Sequence, residues 1–254
     1  MDRLKGKVAM VVGAGSIGPG WGNGKATAVT FAREGAQVFC VDRNPAAAEE
    51  TVKIITGEGG KAIAHTADVS RASEVEAMVT ACMKAHGRID VLDNNVGIAE
   101  VGSVVEVDET SWDRVFAVNL KSAYLSMKHV IPIMVKQGGG SIINISSIAS
   151  IRHIGISYIS YNASKAAMNQ MTKSTGIASL YQPLCLTVSC RMTVTGREDQ
   201  VNTNEHLEVS REHAISRTFP PSRLLQTGCA SRGHGPAIER LVRHHRIGNA
   251  LASS

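Results

Sequence analysis

Aromatic residues make up only 4% of this 254-residue chain, and no apolar run approaches the roughly eighteen residues of a membrane span. The second shortage excludes a spanning helix. The first leaves the net charge of +5 without interleaved rings, and the basic residues do not gather into a stripe. A nucleic-acid surface needs that stripe, so no nucleic acid is expected as a partner. Five cysteines (Cys40, Cys82, Cys185, Cys190 and Cys229) form no CxxC pair and leave an odd one over. A disulfide framework and a zinc site are both unsupported, no metal is expected, and reduced thiols fit a cytoplasmic setting. The chain passes from a short charged lead straight into a strand pattern, so neither a secretory leader nor a membrane partner is expected.

What is present begins at Lys7–Gly13, a short apolar run ending in glycine, as a buried parallel strand reads. A glycine-rich stretch follows from Gly13 to Gly24, and Ala26–Glu34 then carries apolar residues at helical spacing and stops at Gly35. Strand, glycine loop and helix in that order make a phosphate cradle: the backbone can approach a diphosphate, and the helix start supplies amide donors and a positive dipole end. The second strand, Gln37–Asp42, ends in an acid at the distance expected for one that binds ribose hydroxyls. A carboxylate there repels a 2′-phosphate and favours NAD over NADP, although Arg43 beside it could pair with that phosphate.

The alternation continues with a helix over 45–56, a strand over 61–66 leading into Asp68 and Val69, a helix over 72–86 and a strand over 89–94. Asp93 is out of place, because an acid in a buried parallel strand needs a partner or an edge. Residues 110–137 read as a helix, kinked or interrupted at Pro132, with Asn119 inside it. Mid-helix Asn is unfavourable, so either it faces water or its amide holds something in place. Gly140–Ser147 forms a fifth strand ending in two hydroxyls. The predicted fold is an α/β doubly wound parallel sheet of Rossmann type, in which ligands sit at the carboxyl ends of the strands. Gly13, Asp42, Asp68, Asn94 and Ser147 all fall at such ends.

Tyr161 and Lys165 stand four apart in a predicted helix over 158–175, on one face. A cation beside a phenol favours phenolate and makes a proton donor or acceptor for an oxygen substrate. The spacing alone is also met by a half-exposed Tyr and a surface Lys.

Taken together, Gly13, Gly22-Asn-Gly24, Asp42, Asp68-Val69, Asn94-Asn-Val-Gly97, Asn119, Ser147 and Tyr161…Lys165 resemble the short-chain dehydrogenase/reductase family over about residues 5–175. The resemblance implies an oxidoreductase that moves a hydride between NAD (NADP not excluded) and a small-molecule alcohol or ketone. It implies Tyr161 as general acid/base, Lys165 as the group that lowers the Tyr pKa and holds the nicotinamide ribose, and Ser147 as a donor to the substrate oxygen. Asn119 would support a water-linked proton path. Cofactor contacts are expected at Gly13, Gly22, Gly24, Asp42, Asp68, Val69, Asn94, Gly97, Tyr161 and Lys165. The helices over 110–137 and 158–175 are similar to those of the family's dimer, so a homodimer through them is expected.

Three departures accompany the resemblance. The cofactor loop is about five residues longer, with Ile17–Trp21 as the insert, which favours Gly13, Gly22 and Gly24 over Gly15, Gly18 and Gly20. Ser147 lies fourteen residues before Tyr161 instead of thirteen, which leaves Ser146 as an alternative. Val96 stands where Ala is usual.

After Thr175 the family motifs stop, although Leu184–Val188 can form a strand. Residues 177–254 contain nine Arg and no Lys, against seven Arg and eleven Lys before them. The division expected is a dinucleotide-binding domain carrying the catalytic residues over 1–176, and a tail over 177–254 in place of the family's substrate-covering region. That tail is expected to be either divergent and partly disordered or the product of a shifted reading frame. Without the family's last strands, a sheet edge and an apolar face would be left uncovered. The competing reading is therefore a catalytically impaired dinucleotide-binding protein.

Overall fold

A computed structural model of the protein describes residues 2–178, 184–190 and 206–207. Six parallel strands form one sheet: β1 (Val8–Val12), β2 (Gln37–Asp42), β3 (Lys61–Thr66), β4 (Val91–Asn94), β5 (Gly140–Ser146) and β6 (Leu184–Cys190). A two-residue β7 (His206–Leu207) adds antiparallel to β6, and the spatial order is β3-β2-β1-β4-β5-β6-β7. The helices are α1 (Asn23–Arg33), α2 (Pro45–Gly57), α3 (Ala72–His86), α4 (Glu109–Phe116), α5 (Ser122–Lys136) and α6 (Ile159–Ala178).

The apolar run of β1 is buried on both faces because its side chains alternate between two cores. Val8, Met10 and Val12 join Phe39, Leu92 and Ile142 against Met78 of α3 and Val130 and Met134 of α5. Ala9 and Val11 join Val38, Cys40 and Val91 against Ala28 and Val29 of α1 and Ile55 of α2. The cysteines Cys40 and Cys82 belong to these cores as free thiols, and burial pushes both up to about 12.

Local chemistry sets the helix ends. Asn44 accepts from the Ala46 amide with Pro45 at the first helical position of α2, and Asp108 accepts from the Ser111 amide at the start of α4. Gly87 ends α3 in the left-handed region at φ 72°, where a side chain would be strained.

Because the chain winds outward from β1 to β3 and then returns to β4 beside β1, a crevice opens at the carboxyl ends of β1 and β4. The doubly wound sheet is the one expected. Two local expectations change. The expected interruption at Pro132 is not where regular α geometry breaks: the break is a π turn at Ala117–Lys121 between α4 and α5, while Pro132 lies inside α5. The π turn adds a residue to the helix circumference and turns Asn119 inward. Ser147 lies one residue past β5, at the start of a 3₁₀ turn over Ile148–Ser150, because its side chain caps that turn. The strand allowed at Leu184–Val188 is present as β6, which pairs with β5 over seven residues from Gly140–Leu184 to Ser146–Cys190. Alternating apolar and polar residues in Leu184–Thr187 suit such a strand without any family motif. The sheet thus continues past the expected boundary at 176, and the rest of the arginine-rich tail lies outside the described residues.

Candidate active site

At the carboxyl end of β1 the backbone makes close approaches only glycine allows. A Cβ on Gly24 would sit 1.7 Å from the Gly13 carbonyl oxygen, so α1 begins hard against the strand end. Gly13 has φ +85° and a Cβ there would lie 3.0 Å from Val96 Cγ2. A Cβ on Gly22 would meet Ser16 Cα at 3.3 Å, so the loop is pinched where Ser16 and Gly22 meet and the segment between them, Ile17–Trp21, projects. Ile17 is fully exposed, and Gly18 and Gly20 have open space around them. Gly15, set aside with Gly18 and Gly20, belongs instead with the close-approach glycines: a Cβ there would lie 2.7 Å from Asp42 Oδ2, to which the Gly15 N–H donates at 2.9 Å.

Asp42 at the end of β2 accepts from the Gly15 and Asn44 amides, one on each oxygen. The first turn of α1 has neither a side-chain cap nor an acidic residue. Lys25 in that turn is almost fully buried, and its Nζ donates to the Gly20 carbonyl and to Glu50 Oε1, tying the projecting segment to α1 and α2. Glycine backbone, an uncapped helix start and a buried cation together make an environment that fits an anionic diphosphate, with the Asp42 carboxylate at the end of the neighbouring strand.

Beyond β3, the Asp68 carboxylate accepts from the Ser70 hydroxyl at 2.7 Å and the Ser70 amide at 3.0 Å. The Ser70 hydroxyl is the main reason its pKa lies below the usual carboxylate value, with Arg43 and Arg71 adding to it. Val69 is buried in the sheet core. Asn94 closes β4, but its side-chain amide donates to Asn144 Oδ1 at 2.8 Å, and Asn144 donates in turn to Thr172 Oγ1 at 2.9 Å. This buried chain ties β4, β5 and α6 together, so the Asn94 side chain is occupied inside the protein. A Cβ on Gly97 would lie 3.3 Å from Lys165 Nζ, so glycine there makes room for the lysine.

The residues around the proposed chemistry converge from separate elements. Asn119 is fully buried; its Oδ1 accepts from the Ile98 amide at 2.8 Å while its Nδ2 donates to the Ile98 carbonyl and to Ser164 Oγ. Of the two alternatives left by the sequence, the second holds, because this amide clamps the loop after β4 to α6. Lys165 is 2% exposed, its Nζ donates to the Ile145 carbonyl at 2.7 Å, and the same atom lies 5.9 Å from the centroid of the Tyr161 ring. The i, i+4 pair is therefore a buried lysine alongside the phenol, not a surface pair. Tyr161 stands in the first turn of α6, edge-on to Tyr158 with ring centroids 6.3 Å apart. Ser147 Oγ accepts from the Ala149 amide at 3.2 Å. Ser146 differs, because its hydroxyl faces inward to the Lys165 carbonyl at 3.3 Å and Ser150 Oγ at 3.4 Å.

Two loops flank these groups and are joined by the Gly102 amide donating to the Ser157 carbonyl and the Ile159 amide donating to the Gly102 carbonyl. They carry exposed aliphatic side chains, Val101, Val104 and Val105 on one and Ile151, Ile154 and Ile156 on the other. Among residues the sequence did not single out, Asn144, Ser150, Ser164, Asn169 and Thr172 all bond to groups around the site. Their long-range side-chain bonds reach across 19 to 50 residues of sequence, and the α6 members (Ser164, Asn169 and Thr172) follow Tyr161 at helical spacing, which is the one sequence cue they offered.

A family model described as short chain dehydrogenase matches residues 7–203, past the point where the motifs end. An uncharacterized oxidoreductase of Thermotoga maritima is 40% identical over 174 residues, 68% of this chain and 66% of the relative. The chain thus spans about two thirds of the length of that curated relative. A 7α-hydroxysteroid dehydrogenase solved with NADH and 7-oxo glycochenodeoxycholic acid superposes with TM-score 0.69 at 31% identity, covering 74% of this chain and 71% of that one. A metagenomic short-chain oxidoreductase solved with NADP gives TM-score 0.69 at 32% identity, covering 76% and 85%.

Proposed function

This chain belongs to the short-chain dehydrogenase family, and from that premise we propose that it transfers a hydride between NAD(H) and an alcohol or carbonyl carbon, with Tyr161 as the acid/base. The observation that carries the reading is the meeting of Tyr161, Lys165 and Asn119 beside Gly97, with Ser147 at the end of β5 tied to the same helix through Ser150 and Asn169. Gly13, Gly15, Gly22 and Gly24 would hold the diphosphate, Asp42 the ribose hydroxyls, and Asp68, Val69, Asn94 and Gly97 the rest of the cofactor, Asn94 through its backbone. A bound nicotinamide dinucleotide supplies the hydride in reduction and accepts it in oxidation. In reduction, the Ser147 hydroxyl donates a hydrogen bond to the substrate oxygen and Tyr161 Oη delivers the proton; in oxidation, Tyr161 takes it back. Lys165, held by the Ile145 carbonyl, keeps a positive charge beside the phenol and reaches toward the ribose. Asn119 fixes the loop at Ile98 and supports a water-linked route for the proton.

NADH oxidation across a panel of cyclic and open-chain ketones, with NAD reduction across the matching alcohols, tests the reading. Ser147→Ala is expected to lower kcat about 100-fold, as removal of one oxyanion donor does. Ser146→Ala should stay within a few-fold, since its hydroxyl points to the Lys165 carbonyl. The reverse order would transfer the role to Ser146. Absence of turnover in folded, NADH-binding wild-type protein would favour the catalytically impaired alternative.

For the cofactor, the Asp42 carboxylate held by two backbone amides favours NAD, because a 2′-phosphate there meets like charge. Asp42→Ser should narrow the ratio of kcat/KM for NAD over NADP by at least about tenfold, and an unchanged ratio would refute the assignment. A homodimer through the helical faces of 110–137 and 158–175 is part of the proposal. Its support is a shallow groove lined by Phe116, Leu120, Tyr124 and Met171 on those faces.

A further inference from the structure

We propose that Ser150 and Asn169 are positioning residues that aim the Ser147 hydroxyl at the substrate oxygen, an inference that rests on the role of Ser147 proposed above. Ser147 has extended backbone, at φ −154° and ψ 152°, and opens the 3₁₀ turn. Its carbonyl accepts twice from Ser150, from the amide at 3.0 Å and from the hydroxyl at 2.6 Å. Ser150 has a single hydroxyl hydrogen, and it is used on that carbonyl, so the Ser150 oxygen is left as an acceptor. Asn169 Nδ2 fills it at 2.7 Å, which also fixes which way round the amide lies. The chain of bonds therefore runs in one direction, from the Asn169 amide through the Ser150 hydroxyl to the Ser147 backbone.

This has a chemical result at Ser147. The ordered turn brings the Ala149 amide to Ser147 Oγ at 3.2 Å, so one lone pair of that oxygen is occupied by a donor. Its own hydrogen has no acceptor among the described residues and is left to be donated outward. The serine is thereby held as a donor, the polarity a carbonyl oxygen requires as negative charge develops on it.

The origin of these bonds on α6 matters as much as their direction. Asn169 follows Tyr161 and Lys165 at successive four-residue steps, so all three lie along one stripe of one helix. Asn169 is 8% exposed and Lys165 2%, so the stripe is packed. The helix that presents the phenol therefore also anchors the turn that presents the serine. The two hydroxyls that must meet one substrate oxygen share a rigid support, and their separation does not depend on the remainder of the loop, residues 151–158.

The test uses the full-length chain carrying Ser150→Ala, Ser150→Thr and Asn169→Ala, each also made in the Ser147→Ala background. Turnover is read with NADH and the panel ketone that wild-type protein reduces fastest, and amide hydrogen exchange is read at Ala149. Ser150→Ala and Asn169→Ala should each lower kcat about tenfold with NADH KM within twofold, Ser150→Thr should recover most of the loss, and exchange at Ala149 should speed up about tenfold. In the Ser147→Ala background the same changes should leave kcat where it is, since there is no hydroxyl left to aim. Equal losses in both backgrounds, or unchanged exchange at Ala149, would overturn the proposal. If Ser147→Ala itself leaves kcat intact, the reading of Ser147 fails instead, and the exchange measurement still decides whether Ser150 and Asn169 hold the turn.

Discussion

Tyr161→Phe is expected to lower kcat by about 10²- to 10⁴-fold while NADH binds with wild-type affinity, the range over which a positioned proton donor or acceptor acts. The substitution removes one oxygen and keeps the ring, so packing edge-on to Tyr158 and beside Lys165 is preserved. What is lost is the only group in the first turn of α6 assigned to exchange a proton with the substrate oxygen. Ser147 remains as a donor but has no charge partner with which to complete the transfer, because the lysine is held to the Ile145 carbonyl at 2.7 Å. The measurement is single-turnover NADH oxidation beside NADH fluorescence titration. A variant that keeps more than a tenth of wild-type turnover would remove Tyr161 from the chemistry. A variant that loses NADH binding in parallel would place it in cofactor binding alone.

Asp93→Val is expected to stabilise the fold, and by an amount that grows with pH. Asp93 is completely buried in β4 between Val11 of β1 and Ile143 of β5. Its Oδ2 accepts from the Asn95 side-chain amide at 3.0 Å, while Oδ1 has no hydrogen-bond partner. Burial is the main cause that pushes its pKa from 3.8 up to about 7, against the Asn95 hydrogen bond that lowers it. The folded state thus holds the proton more tightly than the unfolded chain. Stability from this group is fully present below about pH 4, is lost as pH rises through about 7, and stays lost above that. A shift of about three units corresponds to about 4 kcal/mol at most. For a chain of this size that is roughly 10 °C in Tm at pH 8, shrinking toward pH 5. Valine carries no group to desolvate and suits a parallel strand buried on both faces. Differential scanning calorimetry from pH 5 to pH 8 checks it: a Tm difference that does not widen with pH would show that the buried carboxyl is not destabilising.

Asp93 also illustrates what could be read in the chain before its structure. The sequence marked it as an acid in a buried run, and burial between two apolar strands is the physical content of that anomaly. The strand-and-helix alternation and the glycine positions were legible because they depend on local rules: period-two and period-3.6 patterning, and backbone that only glycine can take. The projection of Ile17–Trp21 from a base pinched between Ser16 and Gly22 is a matter of tertiary contact, which glycine spacing alone does not specify. Gly15 was missed because the contact that requires it, Asp42 Oδ2, is 27 residues away. The π turn was missed because Pro132 is the visible helix breaker, whereas the extra residue at Ala117–Lys121 is stabilised by the long-range clamp of Asn119 on Ile98.

The chain's own pattern determined the parallel α/β sheet, the glycine cradle, the acid at the end of β2 and the Tyr161–Lys165 pair, since each rests on neighbours within a few residues or on one strand–loop–helix unit. Tertiary structure alone decided that the Ser146 hydroxyl turns inward to the Lys165 carbonyl, that β6 pairs with β5 in the register observed, and that Lys165 is buried. It alone recruited Ser150, Asn169, Asn144 and Thr172 to hold these groups. Hydrogen bonds between side chains 19 or more residues apart are specified by three-dimensional direction, and no local period in a sequence carries that information.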